Sequence, residues 1–293
     1  MLEFINYNWM PTIAEHIIDH TAHFYNSVGV SRLHNVDYIE PTAVKENDIV
    51  FVKTDEIYNG HFQKHILPHI KNTFSLISGI SSYTVGSNGD DSYKDILTND
   101  NVKHWFCTNP PGISSRKIIP IPIGFEEKER EGGDQGVLHD AWLDSDEWEE
   151  KIGMVYLPYH TVGTNPKRDS FLRHLKDLDF VYVENKKLSF KEYLNQVNKF
   201  KYTICLEGAG YDTHRNYETL LVGSVPITIW NMQRLFNYYK LPHISVDNWF
   251  KLDRPQADGN IKRLIHEIQH ATWEKNFLNV DFHKKKVLSY AKD

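Results

Sequence analysis

Cysteine is scarce in this chain: 293 residues hold only Cys107 and Cys205. Neither lies in a C-x-x-C or similar ligand spacing, so no disulfide framework is expected and a reducing compartment is the natural setting. No run of 18 apolar residues occurs. Met1–Met10 also lacks the positive region and apolar stretch of a signal peptide, so neither a membrane span nor a leader is expected, and the cytoplasm is the expected location. Charge of one sign is lacking as well. With 33 Lys and Arg against 39 Asp and Glu, the net charge of −6 gives no global attraction to nucleic acid or to an anionic membrane. Internal repeats and low-complexity tracts are absent, which excludes solenoids and tails. The phosphate or cofactor loops of kinases, sulfotransferases and methyltransferases are missing too.

What is present is a globular composition, 40% hydrophobic and 25% charged, in which short β-rich runs alternate with helical spacing. Strands are expected at Asp48–Lys53, Phe74–Ser78, His104–Thr108 and Lys117–Ile123, after an early helix over Thr12–Ser27. An acidic stretch with Gly and Trp, Phe125–Lys151, reads as a connector with some helix of its own. The alternation then resumes with strands at Met154–Pro158, Phe180–Val183, Tyr202–Leu206, Val225–Trp230 and His243–Val246. Helices lie between them near Arg168–Leu175, Ser189–Asn198, Thr213–Val222 and Met232–Tyr239, and a last one covers Asn260–Trp273. Such alternation implies α/β architecture with mainly parallel sheets. The expected division is two Rossmann-like domains, 1–125 and 153–293, joined by 126–152 and facing each other across a cleft, with ligands outside the C-terminal ends of the strands.

The most informative stretch is Lys201–Thr228, KYTICLEGAGYDTHRNYETLLVGSVPIT. A β-run leads into a loop with Gly208 and Gly210, then to Asp212 or Thr213 as a helix cap, with Gly223 placed to end that helix. Glycines let a phosphate approach the backbone, and a helix N-terminus supplies free N–H groups and a positive dipole end. Arg215 adds a forked cation in the first turn. Glu218, one turn on, has the acceptor geometry for two ribose hydroxyls. The plainer account is an ordinary Arg215–Glu218 surface pair, worth about 0.2–0.5 kcal/mol, and spacing alone does not separate the two.

The run G-x-G-x-D-T-H-R-x-x-E-x-L-x-x-G-S-x-P closely resembles the nucleotide-sugar-binding segment of exostosin-like glycosyltransferases, family 47 and its relatives. DIVFVKTD (48–55), FSLISGISSYTVG (74–86), NVKHWFCTN with KIIPIPIGF (101–125), GTNPKRDSFLRHL (163–175) and LPHISVDNW (241–249) are similar to further family segments in the same order. The resemblance touches about two-thirds of the chain. It implies a GT-B fold with an N-terminal acceptor domain and a C-terminal donor domain, and inverting sugar transfer without metal or other cofactor. The implied donor residues are Gly208, Gly210, Asp212, Thr213, His214, Arg215 and Glu218, with Arg168 and Lys167 as cations for the leaving diphosphate. Glu207 departs from the pattern, since an Arg often stands before the first Gly in the family. Likeness to the xylosyltransferase-type enzymes of algal viruses makes UDP-xylose the first expected donor, and the host cytosol the expected site of action if the chain is viral. UDP-glucose, UDP-galactose and UDP-glucuronate follow. The expected partners are this nucleotide sugar and a glycan acceptor; the linkage and oligomeric state stay open.

An inverting transfer also needs a base for the acceptor hydroxyl. Asp55, at the end of the strand Asp48–Lys53, is the candidate, with Glu56, His61, Asp90 and Asp91 as competitors. Histidine pairs at i, i+4 (His16/His20, His61/His65, His266/His270) raise a metal-dependent hydrolase as a further reading, with His23 or His69 as a third ligand, although solvated helix faces are the commoner use of such spacing. Trp105, Tyr83, Trp230 and Trp249 are candidate sugar-stacking rings that serve equally well as core. The run His283–Lys286 reads as a solvated helix face. A nucleotide- or carbohydrate-binding protein of the same fold without turnover is the alternative function, and Glu207 is the feature favouring it.

Overall fold

The computed structural model describes residues 3–18, 41–160, 165–252 and 275–291. The chain is α/β, with two parallel sheets of five strands each. It divides into two compact units: the first comprises Ile5–Arg130 and Asn279–Asp293, the second Met1–Phe4 and Glu131–Leu278. Among the described residues the α-helices are α1 (Thr54–Tyr58), α2 (Lys94–Thr98), α3 (Gln135–Leu143), α4 (Arg168–Lys176), α5 (Phe190–Asn198), α6 (His214–Leu221), α7 (Gln233–Tyr238) and α8 (Val280–Ala291).

In the first unit, β1 (His16–Ile18), β2 (Asp48–Lys53), β3 (Phe74–Gly79), β4 (Val102–Cys107) and β5 (Ile118–Pro120) lie side by side in chain order. Every crossover steps the same way, so right-handed connections collect on one face. Val50, Val52, Leu76, Trp105 and Cys107 pack there with Ile57, Phe62, Ile66 and Ile96. The 3-10 helix Tyr7–Ile13 packs on β2 and β3, and α8 packs on β4. Within that layer Trp9 stacks on His283, and Tyr290 meets Phe106 edge-on. A strand buried on both faces needs a continuous apolar run, which the middle of DIVFVK supplies.

The described part of the expected helix Thr12–Ser27 is not α-helical: Thr12 and Ile13 end a 3-10 helix. His16–Ile18 form β1 and pair with Val50–Val52, after the 3-10 helix that contains Pro11. Ile17 and Ile18 are β-branched and suit a pleated surface, and sheet pairing overrides their helical spacing. The remainder of that segment and the expected helix Asn260–Trp273 lie outside the described residues.

In the second unit, β6 (Gly153–Leu157), β7 (Val181–Val183), β8 (Phe200–Ile204), β9 (Val225–Ile229) and β10 (Ile244–Val246) take the spatial order β10-β9-β8-β6-β7. The chain steps outward from β6 to β7 through α4. It then jumps back across β6 to β8 through α5 and continues in that direction. Right-handed crossovers therefore set α4 on one face and α5 and α6 on the other. Accordingly α3, α5 and α6 pack together, while α4 packs against Trp249–Lys251.

Local signals set the helix ends. Ser189 and Glu192 form a capping box at α5, and Asp134 accepts from the Gly136 and Val137 N–H groups at α3. Gly223 stops α6 at φ +69°, a conformation L side chains rarely adopt. Gly153 opens β6 where the Phe200 ring crosses it: a Cβ there would stand 2.2 Å from that ring.

Lys151 ties these ends together. Its Nζ donates to the Asn198 carbonyl at 2.7 Å, the Asn198 side-chain oxygen at 3.0 Å and the Val222 carbonyl at 2.8 Å. Asn198 ends α5 and Val222 follows α6, so one cation satisfies the carbonyl ends of both helices. Burial pushes its amine down to about 8, so it remains mostly charged at neutral pH. Lys151→Met should leave buried carbonyls unpaired and cost about 1–3 kcal/mol in urea unfolding. Unchanged stability would show that water satisfies those carbonyls equally well.

Candidate functional site

Tyr156 of β6 pairs with Thr203 of β8, so the segments leaving these two strands emerge side by side at the point where strand order reverses. In doubly wound sheets this is where a crevice opens for ligands. Its components come from three places. His160 follows β6. Arg168 opens α4 on one face, and the loop Cys205–Thr213 leads from β8 into α6 on the other.

Arg215, in the first turn of α6, is partly buried, with its Nη1 3.1 Å from His160 Nδ1 and 3.3 Å from Nε2. Its guanidinium carbon lies 5.6 Å from the centre of the Tyr193 ring. Burial first, then Arg215 and Arg168, hold His160 well below the usual histidine range, so the ring is neutral and can accept from Arg215. Arg168 feels the same crowding: burial and then Arg215 lower its pKa, and Glu207 opposes this. The two cations are therefore brought together around a neutral imidazole. The buried Arg215 Nε and Thr213 Oγ1 have no hydrogen-bond partner. Buried polar atoms are seldom left so, and unpaired donors beside converging cations suit an anion.

The remaining implied residues take distinct places. Thr213 is the N-cap position of α6, and its side chain does not cap the helix. Gly208 donates to the Gly210 carbonyl at 3.0 Å and tightens the loop. Asp212 turns inward, its carboxylate accepting from Asn216 at 3.1 Å and from the Tyr217 hydroxyl, so it anchors the loop to the helix. His214 begins α6, and Lys167 stands exposed before α4. Glu218 is 7% exposed and accepts from the Tyr193 hydroxyl at 2.9 Å, so it is no surface residue. Arg168 has a structural duty too: its Nε donates to the Glu207 carbonyl at 2.8 Å and its Nη2 to Leu206 at 3.3 Å. Glu207 in turn accepts from Trp249 Nε1 at 2.7 Å. A cation at that position could not accept from the indole.

Asp55 lies in the other unit, in the first turn of α1, with one buried carboxylate oxygen unpaired and Lys53 Nζ 3.9 Å away. Its competitor Glu56 is engaged by His61 at 3.1 Å. Asp90 accepts from the Ser92 N–H and Asp91 pairs with Lys94. His16 binds Asp48 at 2.7 Å, and the His61 and His65 rings lie 5.1 Å apart. No group of three or more His, Cys, Asp or Glu suited to a metal is found among the described residues. His266 and His270 bracket the sequence H-E-I-Q-H, a zinc-hydrolase spacing, and lie outside the described residues. Trp105 and Trp249 are core, whereas Trp230 and Tyr83 are exposed, and Tyr83 stacks on Tyr58 at 4.4 Å. No helix among the described residues is long and apolar enough to cross a membrane.

His160 and Tyr193 are the participants that sequence reasoning missed. His160 sits three residues beyond β6, an unremarkable position until β6 is known to border β8.

The class these features define is a parallel α/β protein with a strand-order reversal in its second unit, at which Arg168, Arg215 and His160 converge. No protein-family model matches the chain, and no curated protein matches it either. Among solved structures, UDP-GlcNAc 2-epimerase from Methanocaldococcus jannaschii is similar at 11% identity and a TM-score of 0.31, over 83% of this chain and 77% of that one.

The neutral His160 has a signature in stability. Its folded pKa is depressed, so the unfolded chain binds more protons below about pH 6.5. The stabilisation is full above that pH and falls as the pH drops, by at most about 1.4 kcal/mol per pH unit for one proton. His160→Gln should flatten this acid limb in urea unfolding measured from about pH 7.5 to 5. His243, also lowered by burial, contributes to both proteins and cancels in the comparison. Parallel pH profiles would mean that His160 is not held neutral.

Proposed function

We propose that this chain is a nucleotide-sugar-dependent, inverting glycosyltransferase that transfers a sugar from a UDP-sugar to a hydroxyl of a glycan acceptor without a metal ion. The observation that carries the reading is the convergence of Arg215 and Arg168 at the β6–β8 reversal, beside the N-terminus of α6 and the buried Arg215 Nε, which has no hydrogen-bond partner. Fixed cations and N–H dipoles can stabilise a departing nucleoside diphosphate as its charge develops, the task a divalent ion performs elsewhere. Glu218, one turn along α6, is the proposed ribose ligand, and the resemblance of the Gly208–Pro226 run to exostosin-like enzymes supports the same assignment. Asp55 is the proposed base. A GT-B arrangement and a cytoplasmic setting belong to this reading.

The test is thermal stability with UDP, UDP-xylose and related UDP-sugars in EDTA. A ligand that binds only the folded state, at about 100 times its Kd, stabilises by about 2.7 kcal/mol. One UDP-sugar should give such a shift in the wild type and none in Arg215→Gln, whose unliganded melting is the folding control. No shift with any nucleotide sinks the proposal, and a shift that needs metal moves the case to the H-E-I-Q-H segment. Binding without donor consumption by any acceptor would favour the second reading, a nucleotide-binding protein without turnover, to which Glu207 in place of a cation points. With an active donor–acceptor pair, Asp55→Asn should lower kcat by about 10²–10⁴ while leaving the donor shift intact. Unaltered kcat would remove Asp55 as the base.

A further inference from the structure

Resting on the diphosphate-binding reading of the same site, we propose that His160 is a ligand of the bound phosphate and engages it as an imidazolium whose proton is taken up with the anion. The argument is geometric first. His160 follows the strand on which the sheet reverses, with the Arg215 Nη1 against its ring and Arg168 acting on it from the opposite helix layer. An anion that reaches both guanidiniums therefore also comes beside the imidazole. Nothing in the sequence motif or the proposed chemistry assigns this residue.

Charge then decides the protonation state. Burial first, and then the two neighbouring cations, oppose a third positive charge, and the ring stays neutral. A phosphate neutralises the cations and adds its own negative charge, which reverses the balance. The other titratable groups packed around the pair do not compete for this role. Tyr193 on α5 and Tyr156 on β6 have phenols raised by burial, and the Cys205 thiol after β8 is pushed up to about 12, so all three stay protonated. Glu218 on α6 accepts the Tyr193 hydroxyl, and Glu207 accepts the Trp249 indole. Of the groups in contact with the Arg215 guanidinium, His160 is thus the one placed to change charge near neutrality. Protonated, it contributes a further charge-assisted hydrogen bond beside those of Arg215 and Arg168.

The experiment is calorimetric titration of inorganic pyrophosphate at about pH 7, in PIPES and in Tris, whose different ionisation enthalpies report the protons exchanged. The wild type should take up close to one proton more per bound pyrophosphate than His160→Gln, and the variant's affinity should lose the wild type's rise toward acid pH. Because pyrophosphate titrates equally in both measurements, the difference belongs to the protein. Should the variant fail to fold, NMR titration of the His160 ring in the wild type, with and without pyrophosphate, reads the same proton directly. Equal uptake, an unshifted ring titration or no pyrophosphate binding overturns the inference. Extra uptake with no UDP-sugar binding would uphold it and sink the transferase reading, whereas UDP-sugar binding with equal uptake would do the reverse.

Discussion

Two guanidinium groups repel, so Arg168 and Arg215 stay near one another only because the backbone holds them there. β6 is the strand at which the sheet changes direction: the helix after it lies on one face, and the helix entered from β8 lies on the other. Both helices begin at the same end of the sheet, so a cation in the first turn of each is carried to one place. Among the described residues of the first unit, the strands run in chain order and the connections all step one way, so no reversal brings two helix starts together. The same physical chemistry of parallel strands thus brings two first-turn cations together at the reversal in the second unit.

Much of this was legible in the sequence because the local signals agree with the global fold. Asp48–Lys53 is a strand with the bounds its residues suggest, and the run Thr213 to Gly223 contains a helix start and stop that the structure realises. The early helix failed because His16–Ile18 is too short for periodicity to separate helix from strand, and the deciding partner, Val50–Val52, lies more than thirty residues away. His160 was invisible for a related reason. Strand order is not written in any local pattern, so no spacing in the sequence places it beside Arg215.

Glu207 shows how a departure from an expected pattern acquires a physical reason. Its carboxylate holds the indole of a buried tryptophan, and its carbonyl receives Arg168. Arg168 therefore secures the loop after β8 while its charge also acts on His160 and Arg215. Asp212 divides differently: it is conspicuous in the motif, yet its carboxylate is spent on its own helix through Asn216 and Tyr217.

The chain passes from one unit to the other after Phe4, after Arg130 and after Leu278, and α8 returns to lie on β4 of the first unit. On the ribosome this ordering inverts the usual sequence of events. The first unit is translated almost completely, yet part of one sheet face stays bare until α8 emerges more than a hundred residues later. At about 5–20 residues per second that is roughly 8–30 seconds of exposed apolar surface. The second unit, by contrast, ends at Leu278, so the later-begun unit is fully translated before the earlier one is complete.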